Sequence, residues 1–156
     1  MYGKSVLAAA AILLVFASPA QARHESTLAG NPGLRQAYAE AVSYWGRSAV
    51  EASCATMRVE VRQPYLMGPD VWGEAPPHPP GHCEIWLRWG LGRCNRKLTL
   101  AHELGHELDL RFDPPYIDGA GEAEPWHSPD PSNIMYPYIW PVRSAHPEWC
   151  DERGWA

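Results

Sequence analysis

Leu98-Thr99-Leu100-Ala101-His102-Glu103-Leu104-Gly105-His106-Glu107-Leu108-Asp109-Leu110 places two histidines and a glutamate in the spacing H-E-x-x-H. On a helix, residues four apart stand one above the other on the same face. His102 and His106 can therefore both turn a ring nitrogen toward one ion. Glu103 stands beside them, within reach of the proton of a water held at that ion. Leu98, Ala101, Gly105 and Leu108 form the buried stripe of this helix, with Gly105 letting a neighbour approach closely. Asn95 is positioned to cap its start, and Pro114-Pro115 end any continuation beyond Asp109–Arg111. A solvent-facing helix can carry the same short motif by chance, so the downstream sequence decides its weight.

Downstream, residues 127–137 read His-Ser-Pro-Asp-Pro-Ser-Asn-Ile-Met-Tyr-Pro. Helix motif and Met-Tyr-Pro together resemble the metzincin zinc endopeptidases, whose pattern is H-E-x-x-H-x-x-G-x-x-H followed by a Met-turn. Asn133-Ile134-Met135-Tyr136-Pro137 looks like the matrixin form of that turn. The eight residues from His127 to Met135 match the matrixin gap between third histidine and methionine. The resemblance covers the helix and the turn closely and the rest of the chain in outline.

The chain departs from the family between those two parts. The family's glycine falls on Asp109 and its third histidine on Phe112, which cannot bind metal. His127 lies 21 residues after His106 where the pattern expects six, an insertion of 15 residues. Residues 111–126 contain Pro114, Pro115, Gly119, Gly121 and Pro125 and read as loop. His127 is the favoured third ligand because its spacing to Met135 is intact. Asp113 competes, since some metzincin relatives use aspartate there, and His146 beyond the Met-turn is the other alternative.

The resemblance implies a zincin-like α/β (α+β) single domain: a small mixed sheet, a backing helix, an active-site helix and a loop-rich C-terminal part. It implies Zn2+ on His102, His106 and His127, with Glu103 as the catalytic general base of a secreted endopeptidase acting on protein or peptide substrates. Met135 would form the floor beneath the metal, and Tyr136, Pro137 and Tyr138 would contribute to substrate binding. The strand before the zinc helix would be an edge to which an extended substrate pairs. The alternatives are a zinc hydrolase of another bond, or a secreted zinc-binding, non-catalytic protein-binding module on the same fold.

The N-terminus is expected to be a signal peptide. A basic start at Lys4, an uncharged run Val6–Ala17 and Ser-Pro-Ala-Gln-Ala at 18–22 form its three regions, with cleavage after Ala22. Residues 23–156 then make one exported, monomeric domain, and no other stretch is apolar enough to cross a membrane. The net charge of −5 and the lack of a basic stripe give no reason to expect nucleic acid. Cys54, Cys83, Cys94 and Cys150 form an even set, which in an exported protein argues for two disulfides. Three pairings exist. Cys83–Cys94 with Cys54–Cys150 is expected, tying a strand to the zinc helix and stapling the tail. A zinc–thiolate site lacks any C-x-x-C spacing.

Elsewhere, Leu34, Ala37, Tyr38, Ala41, Val42 and Trp45 recur at helical spacing and predict a helix over 34–47, its stripe being core. Residues 57–63 alternate and predict a strand with Arg58, Glu60 and Arg62 on the solvated side; residues 83–89 predict a second strand. Six prolines make 64–82 an irregular loop. His78 and His82 within it read as solvated side chains. A short helix near 143–152, interrupted by Pro147, closes the chain.

Overall fold

The computed structural model describes residues 26–145 and 147–150. The signal segment with its cut, His146 and Trp155 lie outside the described residues. The chain is a mixed α/β structure. Strands β1 (Ser26–Thr27), β2 (Cys54–Arg62), β3 (Gly73–Glu74) and β4 (Gly81–Arg88) form a sheet in the order β1-β2-β4-β3. β2 and β4 run parallel, and the two short strands are antiparallel to their neighbours.

Helix α1 (Pro32–Trp45) starts where the Asn31 side chain accepts the Leu34 amide at 3.0 Å, with Pro32 in its first turn. Leu34, Ala37, Ala41 and Val42 are buried as the spacing predicts. Helix α2 (Arg47–Ser53) follows and leads into β2. The central helix α3 (Arg93–Glu107) packs on α1, and the Trp45 indole donates to the Ala101 carbonyl at 2.7 Å. Its N-cap is Gly92, so Asn95 lies inside the helix and does not cap it; the Asn95 amide oxygen instead accepts from Arg143 at 3.5 Å. Helix α4 (Ile139–Ala145) and a 3₁₀ turn (Pro147–Cys150) close against α3. Among the described residues no helix is long and apolar enough to cross a membrane.

Three further expectations are corrected. The disulfides join Cys54 to Cys83 and Cys94 to Cys150, not Cys83 to Cys94 and Cys54 to Cys150. Parallel pairing of β2 with β4 brings Cys54 and Cys83 to a Cα separation of 5.3 Å. Cys94, in the first turn of α3, faces the 3₁₀ turn that carries Cys150, 4.7 Å away. Secondly, Glu60 is 2% exposed. Alternation correctly gives its face, but Arg58 and Arg62 close over its carboxylate, and the Arg62 guanidinium lies 3.3 Å from the Trp86 ring centroid. Thirdly, β4 is paired on both sides and is not an edge. Its outer side is taken by β3, by Trp72, whose carbonyl accepts the Arg88 amide at 2.8 Å, and by Glu107, whose carboxylate accepts the Glu84 amide. The sheet edge on this side is β3, and β1 is the opposite edge.

Candidate metal centre

The first two histidines are set by α3 alone, and the end of that helix delivers the third. Helix α3 stops in a Schellman turn: the Leu110 amide reaches the Gly105 carbonyl at 3.5 Å and the Asp109 amide reaches that of His106 at 2.9 Å. Asp109 holds φ 51°, a left-handed conformation that glycine adopts at no steric cost and aspartate tolerates. This is the position at which the resemblance called for glycine.

The insertion then folds back on itself. β5 (Tyr116–Ile117) and β6 (Ala123–Glu124) form a hairpin, and its turn is organised by Asp118, whose carboxylate accepts the amides of Ala120 and Glu122 at 2.9 and 2.8 Å. The predicted loop is therefore a small antiparallel unit. The Phe112 amide on the Pro125 carbonyl (2.7 Å) and the Tyr116 amide on the His127 carbonyl (3.0 Å) close its base. That closure returns His127 to the end of α3.

His102 Nε2 lies 3.1 Å from His106 Nε2 and 3.2 Å from His127 Nε2. Two imidazoles bound tetrahedrally at a zinc–nitrogen distance of ~2.05 Å would have nitrogens about 3.3 Å apart. The observed spacings fit that requirement, and the three rings form a group able to hold a metal ion. Hydrogen bonds on the far side of two rings fix their tautomers. His102 Nδ1 donates to the Ile134 carbonyl at 2.9 Å, and His127 Nδ1 donates to the Glu124 carboxylate at 2.5 Å. Both arrangements leave Nε2 as the free lone pair facing the centre. Burial holds His102 down to about 3, with help from the neighbouring His106 and against the Ile134 carbonyl. Burial, then His127, holds His106 down to about 4. His102 and His106 are neutral at physiological pH without any help from a metal.

Met135 is fully buried, and its sulfur occupies the space that a side chain at Gly105 would need. The turn around it is fastened twice, by the Asn133 side chain accepting the Met135 amide (2.9 Å) and by the Met135 carbonyl accepting the Ser128 amide (3.0 Å). The second bond explains the eight-residue spacing: it closes the loop immediately after His127. Ile134, in the same turn, orients His102.

Glu103 is 6% exposed and faces the same cleft. Burial first, then the charges of Glu74 and Glu107, push its carboxyl up to about 8, against a hydrogen bond from the Ala75 backbone. The cleft has a volume of about 1080 Å³. Its walls are residues 70–75 on the β3 side, with Trp126 and His127 on another and Pro137, Tyr138 and Ile139 on a third. Of the substrate residues expected from sequence, Pro137 and Tyr138 line it, whereas Tyr136 packs on the core. Asp113 does not join the histidine group, and no sequence signal pointed to Glu124 or to the Ile134 carbonyl. Cys54, Cys83 and Glu107 also lie close together, but these sulfurs are joined in a disulfide and offer no thiolate.

No protein-family profile, no curated protein and no solved structure matches the chain.

Proposed function

We propose that this protein is a metal-dependent hydrolase that binds zinc on His102, His106 and His127. Within that class it is an endopeptidase of the metzincin type. The observation that carries the reading is the convergence of three histidine Nε2 atoms with the buried Glu103 carboxyl at one open cleft. Two features of the Met-turn add to it: Met135 is buried against Gly105, the residue before His106, and the Ile134 carbonyl holds His102. When bound, zinc supplies a Lewis acid and makes a water acidic enough to attack near neutral pH.

The chain's own groups do the rest. Glu103 accepts the proton of the attacking water at a carboxylate oxygen while the new C–O bond forms. It then delivers that proton to the amide nitrogen as the C–N bond breaks, so the products are a carboxylic acid and an amine, which then exchange a proton to become carboxylate and ammonium. Strand β3, a sheet edge and one wall of the cleft, is where an extended peptide would pair, a role the sequence reading gave to β4. Among the described residues the lining contains Asp70 and Glu74, with Trp72, Trp126 and Tyr138, and Asp109, whose carboxylate is paired with Arg111 at the rim. It suits unfolded segments bearing basic and apolar side chains. The two disulfides fit an oxidising compartment, in keeping with secretion.

The test is cleavage of an unfolded protein by the oxidised, zinc-loaded chain, followed by chelation and zinc restoration. Cleavage that is lost and recovered supports the reading. A chain that holds one zinc and cleaves nothing refutes it.

A further inference from the structure

His78 and His82 lie in the proline-rich stretch that the sequence leaves outside the site. The His78 ring is nonetheless fully engaged. Its Nδ1 is 3.0 Å from the Pro79 carbonyl, an acceptor only, so Nδ1 carries hydrogen; its Nε2 is bonded to Glu107 Oε2. Neither nitrogen is left to bind a metal. His82 is likewise bonded to Thr56, at 2.8 Å.

Glu107 has a wholly enclosed side chain. Its second oxygen accepts the Glu84 amide at 3.1 Å. Glu107 follows Glu103 by four residues on α3, so both carboxylates emerge on one face, a turn apart. The stretch 73–80 meets both. At Glu103, the Ala75 backbone faces the carboxyl and favours its charged form, and Gly73 approaches so closely that a Cβ there would lie 2.6 Å from Glu103 Oε1. At Glu107, the contact is the His78 ring. Only Pro76 and Pro77 separate the two attachment points, and Pro76 is buried. Two consecutive prolines fix φ and make a stiff spacer, so a displacement at His78 is carried to Ala75 instead of being absorbed between them.

We propose that His78 and Glu107 form a clamp that holds residues 73–80 against α3 and thereby orients the Glu103 carboxylate through the Ala75 amide. Both are positioning residues, and the functional part of the proposal rests on the role given to Glu103 above. The clamp explains why the loop beside the cleft carries a histidine and paired prolines. It also gives β3 a fixed height over the helix.

The experiment compares the zinc-loaded full chain with His78→Ala and His78→Gln. The glutamine amide can place a donor where Nε2 stood. Amide hydrogen exchange at Ala75, followed by NMR, is one readout; kcat and KM on a peptide substrate are the other. His78→Ala should speed exchange at Ala75 and lower kcat, each by about tenfold, with KM changed little. His78→Gln should recover most of both. Unchanged exchange in His78→Ala, or a loss that glutamine does not recover, overturns the clamp. Should the wild type cleave no peptide, the catalytic reading fails, and the exchange at Ala75 still decides the clamp.

Discussion

Glu124 lies in the insertion, outside the motif, yet its carboxylate holds His127 at 2.5 Å. Removing it by Glu124→Ala leaves the His127 ring free to rotate and to exchange tautomers, so Nε2 no longer stays aimed at the other two histidines. Losing such an outer partner costs ~10–100-fold in metal affinity, or about 1.4–2.8 kcal/mol. The Glu124 side chain is 33% exposed, and water can partly replace it, which puts the expectation nearer tenfold. Glu124→Gln retains an acceptor without the charge and should lose less. The assay is zinc competition against a chromophoric chelator, with circular dichroism confirming that the variants are folded. A folded Glu124→Ala chain with wild-type zinc affinity would refute the idea that the hairpin sets the third ligand.

Three further predictions follow from packing and charge. Gly105→Ala drives a methyl into the Met135 sulfur and to 3.0 Å from Trp45, so it should destabilise the fold by ~1–3 kcal/mol; chemical denaturation reads this, and unchanged stability would show that the turn does not pack there. Before metal binds, stability should peak near pH 6.5. His102 and His106, lowered to about 3 and 4, make the unfolded state bind more protons below 6.5, whereas Glu103, raised to about 8, makes the folded state bind more between 4.5 and 8. Two histidines outweigh one carboxyl below 6.5, and above it Glu103 acts in the same sense as the raised His78; Glu103→Gln should make the upper limb shallower, and an unaltered limb would reject the assignment. Among matched unfolded peptides, lysine or arginine beside the cut should raise kcat/KM about tenfold over glutamate at low salt, narrowing as salt screens the cleft. A preference for glutamate would contradict the electrostatic reading of its walls.

Elements with strong periodicity were legible in the sequence: α1 and β4 lie where spacing put them because each buries one regular face, and β2 and α3 lie there too although neighbours cover their other faces as well. Close approach at Gly105 was also legible, since a glycine within a helical stripe has few other uses. What escaped depends on contacts between distant segments. The solvated side assigned to Glu60 was wrong because its cover comes from arginines and Trp86 on two strands, and long side chains bury a face that alternation calls wet. The disulfide pairing required the parallel register of β2 and β4, which residue spacing does not contain. β3 consists of two residues and has no period to detect, so the sheet edge was assigned to β4. His127 could be singled out by its distance to Met135. Glu124, Ala75 and the His78–Glu107 pair could not, because each acts through a hydrogen bond made only once the insertion and the proline-rich stretch have folded back on α3.

The central claim is that three histidines hold zinc and Glu103 turns over a peptide bond beside it. Zinc content and cleavage of an unfolded protein, measured on the same samples of wild type and Glu103→Gln, test it most directly. The account predicts one zinc per chain in both, with new amino termini released by the wild type and a loss of several orders of magnitude in the variant. Equal cleavage by the two proteins, or cleavage that persists in chains stripped of zinc, would contradict it.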